Sequence, residues 1–66
     1  MKLNDLALKD VGFGQHEAIV SPDILVRRQP KGYDVIRLEG DHPPGVICMD
    51  ESAEVAERKL NEVLAT

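Results

Sequence analysis

Asp23-Ile24-Leu25-Val26-Arg27-Arg28-Gln29-Pro30-Lys31-Gly32-Tyr33-Asp34-Val35-Ile36-Arg37-Leu38-Glu39 is the stretch whose reading decides the fold. Two runs rich in β-branched residues flank Pro30-Lys31-Gly32, so the segment predicts a hairpin. Pro30 has φ preset for the first central position of a turn, and Gly32 can take the left-handed conformation that closes a three-residue loop with a bulge. With Pro30, Lys31 and Gly32 in the loop, Gln29 faces Tyr33. Stepping outward pairs Arg28 with Asp34, Arg27 with Val35, Val26 with Ile36, Leu25 with Arg37 and Ile24 with Leu38. Opposed residues share a face of the sheet. Ile24, Val26, Ile36 and Leu38 then form the core side, closed near the turn by Arg28 and Asp34. Leu25, Arg27, Gln29, Tyr33, Val35 and Arg37 form the other side, which is too apolar for idle surface and too charged for core.

The rest of the 66-residue chain bounds what this hairpin can belong to. A domain of this length buries only about 60% of its unfolded surface, so residues 1–66 predict one small domain with a thin stability margin. Aromatics are Phe13 and Tyr33 alone, and the core must come from Val, Ile, Leu, Ala and Met. Small aliphatic cores often gain stability by oligomerising. The single cysteine, Cys48, excludes an internal disulfide framework, and no charged-then-apolar leader points to secretion. No apolar run approaches the roughly 20 residues of a membrane span. These features lead to the expectation of a soluble, cytoplasmic protein.

The net charge of −4 is unevenly placed, with +1 over residues 1–33 and −5 over residues 34–66. That imbalance disfavours nucleic acid as a partner, although Arg27, Arg28, Lys31 and Arg37 cluster locally.

Before the hairpin, Leu3, Leu6 and Ala7 suggest a short helical turn with Asn4 as its cap, and Gly12-Phe13-Gly14 ends any helix. Residues 1–15 are accordingly expected as a short helix or a flexible segment. Gly-Phe-Gly is no phosphate loop, since no lysine-hydroxyl pair follows at the needed spacing. Ala18-Ile19-Val20 predicts an edge strand that bends at Pro22 and continues into the first hairpin strand.

After the hairpin, Gly40-Asp41-His42-Pro43-Pro44-Gly45 must be irregular. Val46-Ile47-Cys48-Met49, apolar throughout, predicts a strand covered on both faces. From Asp50 onward the pattern is helical and should extend nearly to Thr66. Asp50 or Ser52 can cap, Glu51 and Glu54 suit the dipole, and Ala53, Ala56, Leu60, Val63 and Leu64 form the core stripe. The expected fold is α+β: a three-stranded antiparallel meander packed against a C-terminal helix, with a poorly defined N-terminal segment.

Reactive chemistry is sparse. Cys48 sits in an apolar run where burial favours the neutral thiol, and no base accompanies it in sequence. Asp41-His42 is the one acid-base pairing, in a rigid loop without a nucleophile. His16, His42 and Cys48 lack the close ligand pairs of structural zinc, so no metal or cofactor is expected. Paired carboxylates on one short helix do not face each other across a cleft as glycoside hydrolysis requires.

From Ile24 onward the chain resembles the N-terminal partner-binding domain of HicB-type antitoxins. The residues that carry this are Gly32-Tyr33, then Pro44-Gly45-Val46-Ile47-Cys48, then Ser52-Ala53-Glu54 with Ala56 and Leu60. They span about two thirds of the chain. Asp50 stands where a glycine is common, the leading segment does not match, and no DNA-binding tail follows the helix. The resemblance implies binding to a toxin protein or a relative of that module, and the missing tail speaks against the autoregulatory DNA binding of that family. The order of elements is also similar to that of double-stranded RNA-binding domains. Those carry lysines at the start of the last helix, where this chain has Asp50-Glu51-Ser52-Ala53-Glu54.

The resulting expectation is a non-enzymatic interaction module of bacterial or phage type. It would bury Leu25, Arg27, Tyr33, Val35 and Arg37 against another protein or against itself as a homodimer. The alternative expectation is an acidic inhibitor that presents Glu51, Glu54, Glu57 and Glu62 to a basic partner.

Overall fold

The computed structural model describes residues 1–65. A 3-10 turn at Leu3–Asp5 is followed by β1 (Lys9–Gly12), β2 (Gln15–Ser21), β3 (Ile24–Gln29), β4 (Gly32–Arg37), β5 (Gly45–Glu51) and α1 (Ala53–Leu64). The strands form one antiparallel sheet in the order β1-β2-β3-β4-β5. The α+β class and the C-terminal helix are as expected, but the meander has five strands where the sequence suggested three.

Both additional pairings arise from turns whose chemistry is easily overlooked. Pro22 and Asp23 do not bend one strand into the next; they reverse the chain, so that Ser21 opposes Ile24 and Ile19 opposes Leu25 across a bulge. Gly12-Phe13-Gly14 closes a second hairpin with Gly12 opposite Gln15. Phe13 and Gly14 there have φ of 56° and 73°, the two positive values of a type I′ turn. Asn-Gly is the usual choice, because a bulky side chain in the left-handed region costs about 1–2 kcal/mol.

The N-terminal segment is tied down. Leu3 is buried in the core, its N–H donates to Glu57 Oε1 at 2.7 Å, and the Met1 ammonium donates to Asn61 Oδ1 at 2.9 Å. Asn61 Nδ2 returns a bond to the Met1 carbonyl at 3.0 Å. The chain start therefore lies against α1.

The central hairpin has a shorter loop than its sequence suggests. Pro30 and Lys31 alone make the turn, and Gly32 opposes Gln29 as the first residue of β4. Every pairing shifts by one: Arg28 with Tyr33, Arg27 with Asp34, Val26 with Val35, Leu25 with Ile36, Ile24 with Arg37. The glycine is not the left-handed loop residue expected; its φ of 152°, which side chains rarely adopt, and the lack of room both call for it. A Cβ on Gly32 would lie 2.6 Å from the Glu51 carbonyl oxygen and 2.9 Å from the Asp50 carbonyl carbon, so its lack of a side chain lets β5 approach.

A one-residue shift exchanges partners between faces. The core against α1 is Ile24, Val26 and Val35 with Leu3, Ala56 and Leu60; Tyr33, Val20, Ile47 and Cys48 pack around it. Helix α1 opens at Ser52, whose Oγ accepts from the Val55 N–H at 3.2 Å. Ala53, expected in the core stripe, is exposed, and Thr66 lies outside the described residues. No helix among the described residues is long and apolar enough to cross a membrane.

Candidate functional site: the open sheet face

On the face away from α1 two rows of side chains run across the strands. Ile19, Leu25, Ile36 and Val46 are opposed pairwise from β2 to β5 and form an apolar row. Its centre is covered, with Leu25 9% exposed, and its ends are open, with Ile19 at 58% and Val46 at 60%. Val11 on β1 and Met49 on β5 are also exposed. None of these residues belongs to the core cluster under the helix.

Beside this row lies a polar one: Lys9, Glu17, Arg27 and Asp34, again opposed strand by strand. Arg27 Nε donates to Glu17 Oε2 at 2.6 Å, and its Nη1 lies 3.8 Å from Asp34 Oδ2. Asp34 is fully buried and fully bonded. Its Oδ1 accepts from the Asp50 N–H at 2.9 Å and its Oδ2 from Gln29 Nε2 at 2.7 Å. Asp50 sits at φ 54° within a bulge of β5 and accepts a second Gln29 bond at 3.1 Å. Asp tolerates that left-handed geometry better than most residues. Lys9 and Arg27 balance Glu17 and Asp34 in formal charge, so the apolar row is flanked by a polar row of zero net charge.

The sequence-selected set does not stay together. Leu25 and Arg27 lie on this face. Val35 is fully buried under the helix, and Tyr33 is half-buried against the same core. Arg37 lies on the helix side of the sheet end, 3.3 Å from Asp23. The cause is the two-residue loop, which exchanged every side chain of β4 between faces relative to the expected register. Arg28, expected beside Asp34, instead opposes Tyr33 and is exposed. Ile19, Ile36, Val46 and Glu17 were missed, because their membership depends on β2 and β5 pairing in this register.

The strand Val46–Met49 was expected to be covered on both faces, yet β5 is an edge strand. Ile47 and Cys48 turn toward the core through a bulge, while Val46 and Met49 are exposed. Burial pushes the Cys48 thiol up from its ordinary 9.0, and the carboxylates of Glu51 and Asp34 push it further. The folded chain thus keeps this proton at pH values where the unfolded chain has lost it. The contribution to stability is present below pH 9.0 and lost as pH rises through the higher folded value. Urea titrations from pH 8 to 10.5 should show a decline that is smaller in Cys48→Ala; superimposable declines would refute this.

A cleft of about 430 Å³ lies where the sheet end meets the end of α1, lined by Ser21, Asp23, Arg37, Glu39, His42 and Leu64 among others. Within it the Arg37 guanidinium is paired with Asp23, and Ser21 Oγ donates to Asp23 Oδ1 at 3.2 Å. His42 is exposed on the loop. No cluster of metal-ligating side chains occurs among the described residues.

The acidic helix is only partly available as a decoy surface. Glu57 is engaged by the Leu3 N–H and Glu51 is half-buried, leaving Glu54 and Glu62 exposed.

No protein-family model matches this chain, and neither a curated protein nor a solved structure matches it.

Proposed function

We propose that the chain is a non-enzymatic protein-interaction module, a small bacterial or phage-type regulator that buries its open sheet face against another protein. The observation that carries this reading is the row Ile19-Leu25-Ile36-Val46, continuous across four strands and half-exposed at both ends. Isolated surface hydrophobics are ordinary, whereas a contiguous row with a charge-matched rim has the anatomy of an interface. The order β3-β4-β5-α1, with Ser52 as the helix cap, is the part of the chain on which the resemblance to antitoxin partner-binding domains rests, and it supports a protein partner of toxin type. The strands β1 and β2 lie outside that resemblance.

The test is the β5 end of the face. Val46→Lys with Met49→Lys changes two side chains that are 60% and 50% exposed, so folding should be altered by no more than about 0.5 kcal/mol per site. Capture of binding proteins from the native cell should yield a partner with the wild-type chain, retained in high salt, and lose it with the double variant. Equal capture by both chains with equal circular dichroism would refute the sheet-face reading.

A further inference from the structure

We draw no further inference here: the strongest candidate, the cleft of about 430 Å³ between the sheet end and the end of α1, is an acidic cluster of Asp23, Glu39 and Asp41 whose one guanidinium, Arg37, is already paired with Asp23, and nothing in the structure shows what would occupy it.

Discussion

Asp34→Ala is expected to lower the melting temperature by roughly 12–24 °C and to leave a large unfolded fraction at 37 °C. The carboxylate is fully buried and is the acceptor for the Asp50 N–H and for Gln29 Nε2. Its removal strands the Asp50 N–H, leaves Gln29 Nε2 only its longer bond to Asp50 Oδ1 and takes a carboxylate from beside Arg27, at a combined cost of about 3 kcal/mol. A chain of this length has a total stability of roughly 3–10 kcal/mol, and each kcal/mol is worth about 4–8 °C. Asp34→Asn keeps an oxygen for the Asp50 N–H and should lose about half as much. The consequence extends beyond stability, because this carboxylate pins the bulge that turns Met49 outward and leads into the Ser52 cap. Thermal melts of the two variants check the order. An alanine variant within 0.5 kcal/mol of wild type would refute the role assigned to the carboxylate.

Gly32→Ala is the second large effect, at about 2–3 kcal/mol. The added methyl would meet the backbone of Asp50 and Glu51 at 2.6–2.9 Å, and backbone held in a ladder cannot rotate aside as a side chain can. Strand β5 would have to move away from β4 at the point where Asp34 holds it. Gly45→Ala is the control, since nothing lies within 4 Å of the added carbon; it should be neutral within about 0.5 kcal/mol. Gly32→Asn separates the two accounts of this glycine. If Gly32 served as a left-handed turn residue, asparagine would restore most of the stability. Because the obstacle is the β5 backbone, and a φ of 152° lies outside the left-handed well that asparagine tolerates, asparagine should be at least as damaging as alanine. Urea denaturation of the three variants decides between them.

These two residues also show how far the sequence could be followed. The central hairpin was legible from Pro30 and the alternating apolar residues on either side, and the helix from Ser52 and the spacing of Ala56, Leu60 and Leu64. The register was not legible. Pro30-Lys31-Gly32 is compatible with a two-residue or a three-residue loop, and the choice turned on whether Gly32 was needed for φ or for space. Gly32 is needed for both, since its φ is 152° and the backbone of a strand 18 residues further on lies where a Cβ would be. Of the residues first selected for the interface, Leu25 and Arg27 remained on the open face, while Tyr33, Val35 and Arg37 moved to the helix side.

The two strands at the start of the sheet were hidden for a different reason. Phe13 is a poor choice for the left-handed position it occupies, so the Gly12-Phe13-Gly14 turn lacks the Asn-Gly signature of its type. Pro22-Asp23 was equally consistent with a bend. In both cases local preference permits the turn without demanding it, and the neighbouring strand supplies the remainder.

By itself the sequence determined the class, a small aliphatic α+β domain with a hairpin at its centre and a capped helix at its end, because composition, periodicity and capping are local properties. It also determined that Asp23 to Glu39 is too apolar to be covered by one helix alone. Which residues are left uncovered was decided only by the tertiary structure. A one-residue change of register is nearly neutral within the hairpin, yet it exchanges every side chain of β4 between faces. The close approach of β5 at Gly32 and the bonds from Asp34 to Asp50 and Gln29 select one register, and with it the apolar row that crosses the open face.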